Sequence, residues 1–320
     1  MFTFYITQDG SLERESNTLV FIGKDFKKHI PVKNVSDIII TGKVSMSSWA
    51  IDYLAKLGII VHIIGLNGDY RSSLIPIGKN EIGSTTVKQA MAYASDMRLE
   101  IAYEFVEGIK HNIIRNLRYY NKDGSLDEKI EGIRRIEIKK ENINGILGAE
   151  GNIWSSYYSA FGRMFKGHEN FQRKFHPPPD DLNALISYGN TLLYSTALTN
   201  IVTSSLNPSI SFLHEPSDRS FSLALDIADV FKPVIVERLL ATLVNNRSLD
   251  HEDFEERNGG VYLTQSGRLK YVTAYRNKME TTVKYGNRYV SYDGMILQEC
   301  FNLREYIVKG RSYKSFRAWD

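Results

Sequence analysis

The chain has 320 residues, one cysteine and a net charge of +3. It is long enough for two domains with cores of their own, and it excludes an internal disulfide or a multi-cysteine zinc site. No apolar run approaches the roughly 20 residues of a membrane helix, "MFTFYITQDG" lacks the layout of a secretory signal, and a reduced Cys300 in the cytoplasm is expected.

In chain order, about the first 75 residues read as strands. "MFTFYIT", "TLVFIG", "KHIPV", "VSDIIITG", "GIIVHIIG" and "SSLIPIG" are short β-branched or aromatic runs, with turn signals at "QDGS" and "LNGDY". One helix interrupts them, "SMSSWAIDYLAKLG", with Ser47 or Ser48 as its cap, Trp49, Leu54 and Leu57 facing inward, and Gly58 as its stop. From Val87 to Tyr120 the pattern is helical, with Ile101, Phe105, Ile109, Ile113 and Leu117 four apart. After the polar break "YYNKDGSLDE", further helices run toward Phe165. "KGHENFQRKFHPPPDDLN" is a loop, because three successive prolines fit neither a helix nor a central strand. "NALISYGNTLLYSTALTNIVTSSL" is apolar nearly all round and reads as a central helix. The expected architecture is α+β in two domains: a small β-rich one over 1–80 and a larger all-α one over 81–320.

Charge is unevenly spread. From Arg257 to Asp320 there are 12 Lys and Arg against 5 Asp and Glu, whereas the preceding 256 residues carry 28 against 32. Tyr262, Tyr271, Tyr275, Tyr289 and Trp319 interleave with that basic stretch. The pattern fits contact with a polyanion through residues such as Arg268, Lys270, Arg276 and Lys278; it fits equally a basic surface over an aromatic core. The end segment "GRSYKSFRAWD" has little apolar periodicity and reads as mobile.

Candidate chemistry is confined to two stretches, since no phosphate loop, metalloprotease histidine pair or nucleophile elbow is present. In "LGAEGNIWSSYYSAFGRMF", Glu150 interrupts an apolar helical stripe of Ile143, Ile146, Leu147, Trp154, Tyr157, Tyr158 and Phe161. A buried ionised carboxylate is costly unless it is paired, protonated or bound to a metal. In "SISFLHEPSDRSFSLALDIADVFKP", His214 precedes Asp226 and Asp229, which lie in an apolar run whose period fits a helix or a strand. Lys232 follows Asp229 by three residues. Each residue has a plain structural reading: a satisfied histidine, Asp226 capping the helix near Lys232, Asp229 paired with Lys232, Glu150 bridged to Arg163. Together, several buried ionisable groups point to one shared polar site. One imidazole with two or three carboxylates and no thiolate suits Mg²⁺ or Mn²⁺, and such ions serve phosphoryl chemistry.

Three motifs carry a resemblance to a known family: "GAEGNIWSSYYSAF", "HPPPDDLNALISYGNTLLYS" and "SFLHEPSDRSFSLALDIADVFKP". Across essentially its whole length the chain resembles the CRISPR-associated integrase of the adaptation module, which inserts new spacers into the array. The resemblance implies Glu150, His214 and Asp229 as metal-binding catalytic residues, with Asp226 beside the site as a direct ligand or a supporting acid. It places Lys232 at the basic position of the Phe-basic-Pro ending, and Asn183 and Tyr188 near the site. It also implies a homodimer built through the β domains and two such dimers bridged by a small second adaptation protein into a heterohexamer. The substrate would be double-stranded DNA, protospacer and CRISPR repeat, with a 3′-hydroxyl of the protospacer attacking a phosphodiester at the leader–repeat junction. The residues themselves fit two other readings, a metal-dependent nuclease using the same ligands and a non-enzymatic nucleic-acid scaffold.

Overall fold

Short apolar runs at the start of the chain build two four-stranded sheets around one helix. The strands are β1 (Phe2–Ile6), β2 (Gly10–Glu15), β3 (Thr18–Ile22), β4 (Lys27–Ile30), β5 (Val35–Ile40), β6 (Val44–Met46), β7 (Ile60–Ile64) and β8 (Tyr70–Leu74), with α1 (Ser48–Leu57) between β6 and β7. The structure is a computed structural model that describes residues 2–77, 82–165, 168–216 and 221–318. One sheet has the order β4-β3-β2-β6, antiparallel except for the parallel β2–β6 pair. The other has the order β1-β5-β7-β8, with β1, β5 and β7 parallel and β8 antiparallel. β2 was hidden in the sequence because only Leu12 of its six residues is buried. In α1, Ser47 accepts from the Ala50 amide at 3.2 Å, and Gly58, at φ 65°, closes the helix in the left-handed region. Ala50 and Leu54 point inward, but Trp49 does not: it is 57% exposed, with the Arg14 guanidinium 4.9 Å from its ring.

The second sheet is covered on both faces. Ile38, Ile40 and Val61 join a small core drawn entirely from residues 6–61, while Ile39 and Ile64, on the opposite face, join the large helical core. That opposite face also carries two buried ionisable groups. His62 Nε2 lies 2.8 Å from Thr199 Oγ1, and its Nδ1 lies 2.7 Å from Ser73 Oγ. Asp37 accepts from Thr3 Oγ1 at 3.0 Å and Ser36 Oγ at 2.7 Å. Burial pulls the His62 pKa down to about 3, so the imidazole is neutral, and its 4.0 Å approach to Asp37 is no ion pair. Burial pushes Asp37 up to about 7. The folded chain therefore binds the Asp37 proton more tightly than the unfolded chain, and stability falls as pH rises from about 4 to about 7. Relative to Asp37→Asn, the wild type is expected to lose roughly 2–3 kcal/mol between pH 5 and pH 8 in urea unfolding. An equal gap at the two pH values would show that Asp37 titrates normally.

The rest of the chain is mainly helical: α2 (Gly83–Tyr93), α3 (Met97–Tyr120), α4 (Asp127–Arg135), α5 (Ile143–Phe161), α6 (Asp181–Thr203), α7 (Ser222–Phe231), α8 (Val236–Asn245), α9 (Gln265–Glu280) and α10 (Tyr292–Lys309). The helix expected over 87–120 is broken by a turn after Tyr93, giving α2 and α3. α6 is buried on nearly every side, as its apolar sequence requires. This region is not all-α. Two antiparallel hairpins, β9 (Phe254–Arg257) with β10 (Gly260–Leu263) and β11 (Thr282–Tyr285) with β12 (Arg288–Ser291), flank α9. The expected domain boundary at 80/81 falls within residues 78–81, outside the described residues, as does Trp319. No described helix is long and apolar enough to cross a membrane.

The segment after α10 also departs from expectation. Gly310, at φ 66°, ends the helix, and residues 311–318, without helix or strand, pack against the helical core. Tyr313, Phe316 and Ala318 are buried there, and Phe316 stacks on Phe231 with centroids 4.6 Å apart.

Candidate active site

Five segments, α5, the loop before α6, α6, the loop before α7 and α7, meet at one cavity of about 610 Å³, lined among others by Glu150, Trp154, Tyr158, Arg173, Asn190, His214, Asp229 and Lys232. α5 is started by Asn142, whose side chain accepts from the Gly145 amide at 2.8 Å, and it projects Glu150, Trp154 and Tyr158 along one face. The loop before α7 supplies His214, and α7 supplies Asp229. α7 is a helix, which resolves the ambiguous period and sets Asp226 and Asp229 three residues apart on one turn.

Asp226 is fully buried and its carboxylate is used up. It accepts from the amides of Phe212 at 2.8 Å, Leu213 at 3.0 Å and His214 at 3.1 Å, and from His214 Nδ1 at 2.8 Å. It does not line the cavity; it holds the His214 backbone and, through Nδ1, its ring, so that Nε2 is the ring nitrogen Asp226 does not engage. That hydrogen bond, opposed by burial and aided by the charges of Asp226, Asp229 and Glu150, raises His214 to about 9.

Glu150 has no described ion-pair partner in Arg163, whose guanidinium instead donates to the Ser125 carbonyl at 3.4 Å. Burial, then repulsion from Asp229, pushes Glu150 up to about 7, while His214 and Lys232 pull it down. Asp229 forms an ion pair with Lys232, so the plain structural reading of that pair holds in this structure. The oxygen that Lys232 engages, Asp229 Oδ1, is itself buried. Among the described residues, no three His, Cys, Asp or Glu side chains form a ready-made metal cage as placed. The donor set still fits a hard divalent ion. It offers two carboxylates, one now paired with the Lys232 ammonium and one whose ionisation is opposed by burial, and an imidazole oriented through its other nitrogen.

The other sequence candidates separate. Asn183 is buried and accepts from Arg173 Nη1 at 2.9 Å and the Lys174 amide at 2.8 Å, so it fixes the loop that brings Arg173 to the cavity. Tyr188 lies in an adjoining cavity of about 700 Å³ that shares Arg173, Phe175, Asn190 and Lys232 with the first. Arg268 is only 6% exposed and donates to the Leu263 carbonyl, so it has little charge to offer a ligand. Lys270 pairs with Asp253 and Asp250, and Arg276 faces Glu280 at 3.9 Å. Of the three basic candidates that are not fully buried, Lys278 alone faces no carboxylate among the described residues.

Sequence reasoning missed Arg173 and Glu237. Glu237 is fully buried behind the cavity and accepts from Tyr158 Oη at 2.9 Å; burial pushes it up to about 7. Its signal, a lone acid in the apolar run "KPVIVERLL", is the one that singled out Glu150. Arg173 sits in an aperiodic loop that offers none.

A β-rich start, a helical body and a pocket of two acids and an imidazole define the class of protein. The family follows: a model described as "CRISPR associated protein Cas1" matches residues 4–277, and the chain belongs to that family. It is 36% identical to the CRISPR-associated endonuclease Cas1 of Clostridium perfringens, over 99% of this chain and 98% of that protein. Among solved structures, a CAS1 protein from Thermotoga maritima superposes with a TM-score of 0.87 at 31% identity, covering 98% of this chain and 99% of the other. A casposase bound to integration product gives a TM-score of 0.83 at 21% identity over 98% and 93%, a likeness of fold.

Proposed function

We propose that this protein is a divalent-metal-dependent DNA integrase and endonuclease of CRISPR adaptation, which joins protospacer 3′-hydroxyl ends to the leader–repeat junction. The observation that carries the reading is the convergence of Glu150, His214 and Asp229, from distant parts of the chain, on one cavity. Those three would hold Mg²⁺ or Mn²⁺; such an ion, when bound, lowers the pKa of an attacking hydroxyl and neutralises charge on the phosphodiester. The chain's own groups prepare the site. Asp226 fixes the direction of the His214 ring, Lys232 adds positive charge beside Trp154 at 5.7 Å, and Glu150 favours its ionised form once further positive charge enters. The reading includes a homodimer and a small second adaptation protein as partners, as the family resemblance implies. The name of the Clostridium perfringens relative, an endonuclease, supports strand cleavage as part of the activity.

A pre-trimmed duplex with free 3′-hydroxyls, a supercoiled target and Mn²⁺ provide the test. Covalently joined products are expected. Release of fragments with no joined product would replace the integrase reading by that of a nuclease.

A further inference from the structure

A second cluster of positive charge lies across α5 from the cavity, at the meeting of α3, α8, α9 and α10. Arg238 of α8 donates through Nε to Asn116 Oδ1 at 3.1 Å and lies 5.2 Å from the Tyr119 ring centroid. Lys122 Nζ lies 5.2 Å from the same ring. Lys278 of α9 places Nζ 4.3 Å over Tyr292. The only charged group acting on Lys278 among the described residues is Arg238, a like charge. No carboxylate acts on Tyr120 or Tyr292 either; Arg238 acts on both.

Like charges held together in a half-buried place cost free energy, and here no acid offsets it. Burial first, and then Arg238, holds the Lys278 ammonium down to about 8. Ring contacts are weaker partners for these cations than a carboxylate or a phosphate oxygen. What the cluster lacks is an anion. It is also braced: Asn116 Nδ2 donates to Tyr157 Oη at 2.8 Å on α5, and Arg238 directly follows Glu237, which holds Tyr158 of the same helix. Tyr119, 57% exposed, and the exposed Lys122 open the cluster to solvent.

We propose that Arg238 and Lys278, with Lys122 at the rim, form a phosphate-binding seat for the DNA backbone, separate from the Glu150 cavity and positioned relative to it through α5. The seat rests on the reading of this protein as a DNA-joining enzyme. Its ligand is a phosphodiester oxygen read without regard to base, because guanidinium and ammonium donors on a surface of rings carry charge and no base-edge code.

The test is duplex binding by the full chain, followed by fluorescence anisotropy over a NaCl series. Arg238→Gln and Lys278→Gln are each expected to flatten the slope of log affinity against log salt by about one, and the double variant by about two. Affinity at low salt is expected to fall several-fold in each. Lys278→Arg should keep the wild-type slope, as should Arg276→Gln, whose charge faces Glu280. Should Arg238→Gln fail to fold, Lys122→Gln with Lys278→Gln carries the same expectation, since neither touches Asn116. A double variant with wild-type slope and affinity would overturn the seat. A wild type that binds no duplex at any salt would instead remove the DNA reading itself.

Discussion

Glu150→Ala is expected to lower Mn²⁺-dependent DNA cleavage and joining by about a thousandfold, because a bound divalent ion contributes several kcal/mol to phosphoryl transfer and each 1.4 kcal/mol is about tenfold. The fold should not suffer. Glu150 is raised to about 7 chiefly by burial, so the folded chain binds its proton more tightly than the unfolded chain does. Its contribution to stability therefore declines as pH rises from 4.5 through 7, and removing it at pH 8 should leave the melting temperature unchanged or higher. Asp229→Ala should lose as much activity but is the poorer probe, since it strands the Lys232 ammonium. Asp226→Asn tests the support beneath the site. It keeps the volume of a side chain that accepts three amides and an imidazole, so a loss of only about 10–100-fold is expected. Calorimetric melts and single-turnover assays on the same preparations separate these outcomes. Undiminished activity in Glu150→Ala would take the catalytic site away from this cavity.

The site was legible because its signal is local and costly. Glu150 breaks an apolar stripe at helical spacing, and two acids close after a histidine break another apolar run; buried charge is rare enough for such interruptions to stand out. What could not be read there was which acid faces the cavity. That depended on α7 being a helix and on three amides of the preceding loop converging on Asp226. Both hairpins in the helical part were missed although "NGG" and "YGNR" are turn signals, because their strands are only four residues long and, β10 apart, bury no residue fully. Trp49 departs from its expected inward position because its ring, on the exposed face of α1, meets Arg14 of β2 rather than the core. Local periodicity locates elements, whereas pairings between distant segments escape it.

The clearest such pairing is the C-terminal segment, and removing residues 311–320 is expected to lower the unfolding midpoint sharply instead of merely weakening DNA binding. Ala318 donates its amide to Asn112 Oδ1 at 2.7 Å and accepts from His111 Nε2 at 2.8 Å; Asn112 Nδ2 reaches the carbonyls of both Val230 and Phe316. Glu299, raised to about 7 by burial, relies on Tyr313 Oη and the Phe316 amide, and truncation would leave its carboxyl buried without them. Two of the segment's cations are already engaged, Arg311 with Glu305 and Arg317 with Glu104, which leaves little charge for a mobile DNA arm. Phe316→Ala isolates the packing: a buried phenylalanine stacked on Phe231 should cost about 3–5 kcal/mol in urea unfolding. Because Phe231 ends α7 two residues after Asp229, the same variant should also lose activity under conditions where it is still folded, with the salt slope of DNA binding unchanged. A truncated chain with the wild-type midpoint and a flattened salt slope would instead make the segment an arm on DNA, and its burial against α3, α7 and α10 would have no energetic meaning.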